Sequence, residues 1–180
     1  MASRGRGAKV KGSNFERKIA KLLSNWYFGI PDRLKRTPLS GGFSKNYKGD
    51  LFEDVSVKIS DDPVKNSTRH FPFNVECKHQ EVPLDIPALL SDKSVFWQFW
   101  NQTTTEFTNT PDSGKIPLLV FTKNNVRPMV ALPAILLKAG PLVPQKFIEI
   151  KGVAILFLED FLQLPKTQFS FVDNNTNRMI

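Results

Sequence analysis

At 180 residues the chain can hold one domain with its own core, and its 41% hydrophobic content excludes disorder as the default state. Its 25 Lys and Arg against 17 Asp and Glu give a formal charge of +8, favouring polyanionic partners such as nucleic acid or an acidic membrane surface. Cys77, the single cysteine, excludes an internal disulfide framework, and with two histidines, His70 and His79, no zinc cluster of soft ligands can be assembled.

The N-terminus carries Arg4, Arg6, Lys9 and Lys11 but lacks the apolar run of a signal peptide, and no apolar stretch reaches membrane-spanning length. These features predict a soluble protein of the cytoplasm or another reducing, DNA-containing compartment, with no membrane partner. Residues 1–12 read as a flexible cationic arm that tracks phosphates, or as a solubilising tail. A helix follows, with Phe15, Ile19, Leu22, Leu23 and Trp26 on one stripe, capped by Ser13 and ending near Phe28-Gly29.

Residues 31–48 read as a loop rich in Pro, Gly, Ser and basic residues, with a short strand at 34–38 and a turn at Ser40-Gly41-Gly42. Alternation then predicts a half-buried strand over 50–59. After a polar connection, residues 73–78 form a second strand, adjacent to the first. In it Phe73, Val75 and Cys77 face a core while Asn74, Glu76 and Lys78 share the opposite face.

Ser91 or Asp92 can cap a helix on which Phe96, Phe99, Trp100, Thr103 and Phe107 follow helical spacing, leaving Gln98, Asn101, Gln102 and Thr105 polar. The aromatics of this helix are candidates for core packing or for a dimer interface. Strands are expected at 116–122, at 126–132 after an Asn124-Asn125 turn, and at 153–158. The tail after Gln168 reads as polar. This order gives a central sheet covered by helices, α/β or α+β.

Asp50, Glu76 and Lys78 carry the chemistry. Hydrolysis of a phosphodiester needs an activated water and stabilisation of charge on the scissile phosphate, both of which an oxygen-ligated Mg²⁺ supplies. Asp50, Glu76 and the backbone carbonyl of Cys77 offer the hard oxygen ligands such an ion prefers, and Lys78 can orient the water or steady the phosphate. The competing structural reading is a surface Glu76–Lys78 pair on a solvated sheet face, with Asp50 as a turn residue.

Gly49-Asp50 followed by Val75-Glu76-Cys77-Lys78 resembles the PD-(D/E)xK nuclease superfamily, over about residues 11–132. Within it, Lys11-Gly12-Ser13-Asn14-Phe15-Glu16-Arg17, Arg36 and Ser40-Gly41-Gly42 look most like the first helix and mobile loop of archaeal-type Holliday-junction resolvases. The resemblance implies an α/β, restriction-endonuclease-like fold with a mixed central sheet flanked by helices. It implies catalysis by Glu16, Asp50, Glu76 and Lys78, with metal at Asp50, Glu76 and Cys77. The cofactor would be Mg²⁺, which Mn²⁺ replaces, with no small-molecule cofactor.

Lys35, Arg36, Ser40 and Gln98 would join Arg4, Arg6, Lys9 and Lys11 in binding DNA. For Glu16 a second role stays open, because Ser13-x-x-Glu16 is also a capping box. The 60–70 insertion and the extension after Leu132 depart from the family pattern.

The expected organisation is a basic arm at 1–12, a nuclease domain at 13–165 with its core at 13–132 and an extension at 133–165, and a tail at 166–180. The function this points to is a metal-dependent endonuclease that resolves branched DNA by paired nicks as a homodimer. A repair or restriction-type nuclease and a noncatalytic DNA-binding module are the alternatives.

Overall fold

Phe15, Ile19, Leu23 and Tyr27 recur every four residues and all are buried, with Ala20 beside them, the signature of an amphipathic helix. In the computed structural model this helix, α1, spans Arg4–Phe28. The structure describes residues 4–38, 49–62, 70–79, 86–91, 94–105, 114–123, 125–144 and 146–172. They belong to two compact units, Met1–Phe71 and Pro72–Ile180, each taken here by itself.

In the first unit, α1 starts nine residues before Ser13, so residues 4–12 are helical and not a flexible arm, and the Ser13/Glu16 capping box does not form. Extending an existing helix fixes one residue per hydrogen bond gained, which outweighs the roughly 1 kcal/mol that each of Gly7 and Gly12 costs in a helix interior. Gly29, at φ 81°, ends the helix, its N–H donating to the Asn25 carbonyl at 2.9 Å.

Strand β1 (Leu34–Arg36) pairs antiparallel with β2 (Leu51–Glu53), Leu34 opposite Glu53 and Arg36 opposite Leu51. The long strand expected over 50–59 is therefore three residues in length. Asp54 bends the chain, its carboxylate accepting both the N–H and the hydroxyl of Ser56. The guanidinium of Arg33, wholly buried, then takes the carbonyls of Val55 and Val57 and the Glu53 carboxylate. Those carbonyls are satisfied without a ladder.

The second unit holds β3 (Phe73–His79), α2 (Ile86–Leu90), α3 (Val95–Thr105), β4 (Ile116–Thr122), β5 (Met129–Pro133), α4 (Ala134–Lys138), β6 (Ile148–Ile150), β7 (Val153–Phe157) and α5 (Leu158–Phe161). A 3₁₀ helix, Lys166–Val172, follows. The sheet order is β3-β4-β5-β7-β6, with β3 parallel to β4 and the other neighbours antiparallel. This mixed sheet flanked by helices is an α/β fold consistent with restriction-endonuclease-like nucleases. The ladder partner of β3 is β4 and that of β2 is β1, so the expected pairing of the Asp50 strand with the Glu76 strand is not made.

One sheet face carries Leu119, Phe121, Ala131, Val153 and Ile155, which pack in one cluster with Phe96, Trp97 and Trp100 of α3. These α3 aromatics are core, not exposed interface. Ser94, and not Ser91, caps α3 by accepting the Phe96 N–H, while Asp92 and Phe107 lie outside the described residues. On the other face Phe73 meets Phe161 and Phe169 at ring distances of 5.7 and 5.1 Å. Phe169 is fully buried, so the segment after Gln168 begins as core and not as a polar tail.

The strand expected at 153–158 is the second arm of a hairpin. Lys151 and Gly152, at φ 52° and 75°, supply the two left-handed residues of a tight turn from β6. Among the described residues no helix is long and apolar enough to cross a membrane.

Candidate active site

The chain places its candidate residues in two groups, one in each unit. In the first, Asp50 follows Gly49, whose φ of 78° is a conformation that a side chain at that position would strain. The Asp50 carbonyl accepts the Thr37 N–H at 2.8 Å, and the residue is buried just ahead of β2. Arg36, on β1, donates its Nε to the Glu16 carboxylate, and both side chains are largely shielded. Glu16 thus holds the arginine expected at the DNA backbone, in place of capping its own helix.

Lys35 reaches Asp54 at 2.7 Å across an exposed surface. That ammonium, with the Ser56 donors, pulls the Asp54 carboxyl down from 3.8 to about 2. Lys11 is exposed on α1, and Arg4, Arg6 and Lys9 belong to the first turns of the same helix. Ser40 lies outside the described residues.

In the second unit, β3 sets Glu76 opposite Leu119 and Lys78 opposite Phe121, so these side chains share the sheet face that α3 covers. Glu76 is 5% exposed and Asn74 3%. The face that the competing structural reading takes as solvated is therefore largely buried. Lys78 Nζ donates to Glu76 Oε1 at 2.6 Å, with side-chain exposures of 17% and 6%. A solvated surface pair would be worth about 0–1 kcal/mol, whereas a carboxylate shielded this far must be compensated by its partners. The structural reading of Glu76 and Lys78 as an exposed pair therefore fails.

Gln102 Nε2 donates to the same Glu76 oxygen at 3.4 Å. Gln98, expected to complete the site, is exposed one turn earlier on α3. The two glutamines lie on one helical stripe, so periodicity could not choose between them. Phe99, between them, reads in the sequence as a core or interface aromatic, yet Lys78 Nζ sits 5.3 Å from its ring centroid. No sequence motif marks that contact, since β3 and α3 are brought together by tertiary packing.

The donor chemistry suits a hard cation. Mg²⁺ binds through one or two carboxylates and keeps several waters, and Asp50 in the first unit and Glu76 with the Cys77 carbonyl in the second are each oxygen donors of that kind. Among the described residues no three His, Cys, Asp or Glu side chains converge as a closed metal cage would require. The Cys77 thiol is buried.

Neither the curated proteins nor the solved structures compared with the chain match it. The model of one protein family, described as phage putative PDDEXK endonuclease, matches residues 7–168. That span takes in Glu16, Asp50, Glu76, Lys78 and Gln102, and since it covers most of the sequence the chain belongs to this family of PD-(D/E)xK endonucleases.

Proposed function

We propose that the chain is a Mg²⁺-dependent DNA endonuclease that cuts branched DNA by paired nicks. The observation that carries the nuclease chemistry is the shielded Glu76–Lys78 pair, with Gln102 reaching the same carboxylate oxygen. Asp50, Glu76 and the Cys77 carbonyl would hold the ion, which supplies charge neutralisation at the scissile phosphate and a more acidic water.

The chain's own groups do the rest. Lys78 offers a cation beside Glu76, suited to orient the attacking water or to bind a non-bridging phosphate oxygen. Gln102 restrains the Glu76 carboxylate through the oxygen that Lys78 also takes. Glu16 orients Arg36 toward the DNA backbone, and the basic residues of the first turns of α1 add phosphate contacts whose strength falls with salt.

The branched substrate rests on the likeness of residues 11–17 and 36–42 to junction resolvases, and on symmetry. A four-way junction presents two equivalent strands, so a two-fold homodimer sets one active site on each. The test is cleavage of labelled four-way junction, flap, linear duplex and single strand, each with Mg²⁺, with Mn²⁺ or with EDTA. Symmetric, metal-dependent nicking confined to the junction is the expected result. Equal cutting of every substrate would instead make the chain a general repair or restriction-type nuclease, and binding without cutting a noncatalytic module.

A further inference from the structure

We propose that Phe99 is a positioning residue of the active site, its ring face holding the Lys78 ammonium in place when Glu76 turns to a metal ion. This rests on the nuclease reading above. The Glu76–Lys78 contact of 2.6 Å is a hold that metal binding would weaken, because a divalent cation at the carboxylate would compete with the ammonium and repel it. Lys78 sits on a flexible four-carbon stem, and 17% of its side chain is open to solvent through which it could swing away.

The Phe99 ring answers this. Its face is 5.3 Å from Lys78 Nζ, within the distance at which an aromatic quadrupole attracts a cation, and the metal does not compete for it. The ring is itself fixed. Phe99 is half-buried on α3 and packs against the cluster of Trp97, Trp100, Leu119 and Phe121, while the Thr103 hydroxyl donates to the Phe99 carbonyl at 2.8 Å. One turn of α3 thus supports both reacting groups, Phe99 under Lys78 and Gln102 at Glu76.

The test compares Phe99→Leu, which keeps apolar bulk but has no π face, with Phe99→Tyr, which keeps both. Phe99→Leu is expected to lower kcat about tenfold, with KM and Tm near wild type, and Phe99→Tyr to restore kcat. A readout independent of cleavage is the ring-current shift of the Lys78 ε-methylene protons by NMR. It should be upfield in wild type and Phe99→Tyr, should persist on addition of Mg²⁺, and should vanish in Phe99→Leu. An unshifted Lys78 in the wild type, a shift lost when Mg²⁺ is added, or Phe99→Leu with full kcat would each overturn the proposal. A wild-type protein that shows the shift yet cuts no DNA would sink the nuclease reading, and with it the catalytic role of the contact.

Discussion

Glu76 stands out for what a neutral substitute would leave behind. In Glu76→Gln the partly shielded Lys78 ammonium keeps a polar neighbour but loses its countercharge, and a hard cation would lose its anionic oxygen donor. Glu76→Gln, Lys78→Ala and Asp50→Asn are each expected to lower Mg²⁺-dependent cleavage by about 10²-fold or more while DNA binding persists, as read by single-turnover kinetics beside a gel-shift titration. A variant with full activity would remove its residue from the mechanism.

Asp54 gives a prediction of the opposite kind, with no part in catalysis. Its carboxyl is held at about 2 by Lys35 and Ser56 against 3.8 for the free group, so its stabilising effect is fully present above pH 3.8 and lost as pH falls toward 2. The Tm gap between wild type and Asp54→Asn should close over that window, and should shrink in high salt because the pair is exposed. Residue types were the part of the site most legible in the sequence. Asp50, Glu76 and Lys78 stand out by chemistry and order, whereas Phe99 and Gln102 acquire meaning from which strand α3 covers.

Between elements, one hydroxyl joins α1 to the start of β1. Ser24, fully buried, donates to the Ile30 carbonyl at 2.6 Å and accepts from the N–H groups of Arg33 and Leu34 at 3.0 and 3.2 Å. Ser24→Ala strands two buried backbone N–H groups and a partly buried carbonyl at once, and a loss of about 2–3 kcal/mol is expected from urea unfolding. A shift below half a kilocalorie would mean that water reaches those groups. Strands that continue one hydrophobic run were readable: residues 116–122 are predicted and found as β4, because all of them but Pro117 are buried. The 50–59 strand failed because alternation cannot see Arg33, whose guanidinium satisfies the Val55 and Val57 carbonyls from another part of the chain. The start of α1 failed for a related reason, since glycine and lysine that read as a loose arm extend a helix once it is nucleated downstream.

For the whole molecule, a formal charge of +8 makes association with DNA a matter of counterion release. If about four phosphates are neutralised, doubling the salt should weaken binding roughly tenfold, and a log–log plot of affinity against salt tests it. Removal of Mg²⁺ with EDTA should stop cutting and leave that slope nearly unchanged, because the slope counts lysines and arginines. A central sheet covered by helices was legible from the order of elements, and its mixed character from the family resemblance. Its parallel β3–β4 pair was not called, since it depends on which strand follows a crossover.

That parallel pair also sets a timetable. The β4–β5 and β6–β7 pairs join neighbours in sequence and can zip up locally, whereas β3 docks after a crossover through α2 and α3 has closed a long loop. Although β3 leaves the ribosome earlier than its partner, it stays unladdered until β4 has been synthesised. The strand bearing Glu76 and Lys78 is thus withheld from its ladder until the chain has been made as far as Thr122.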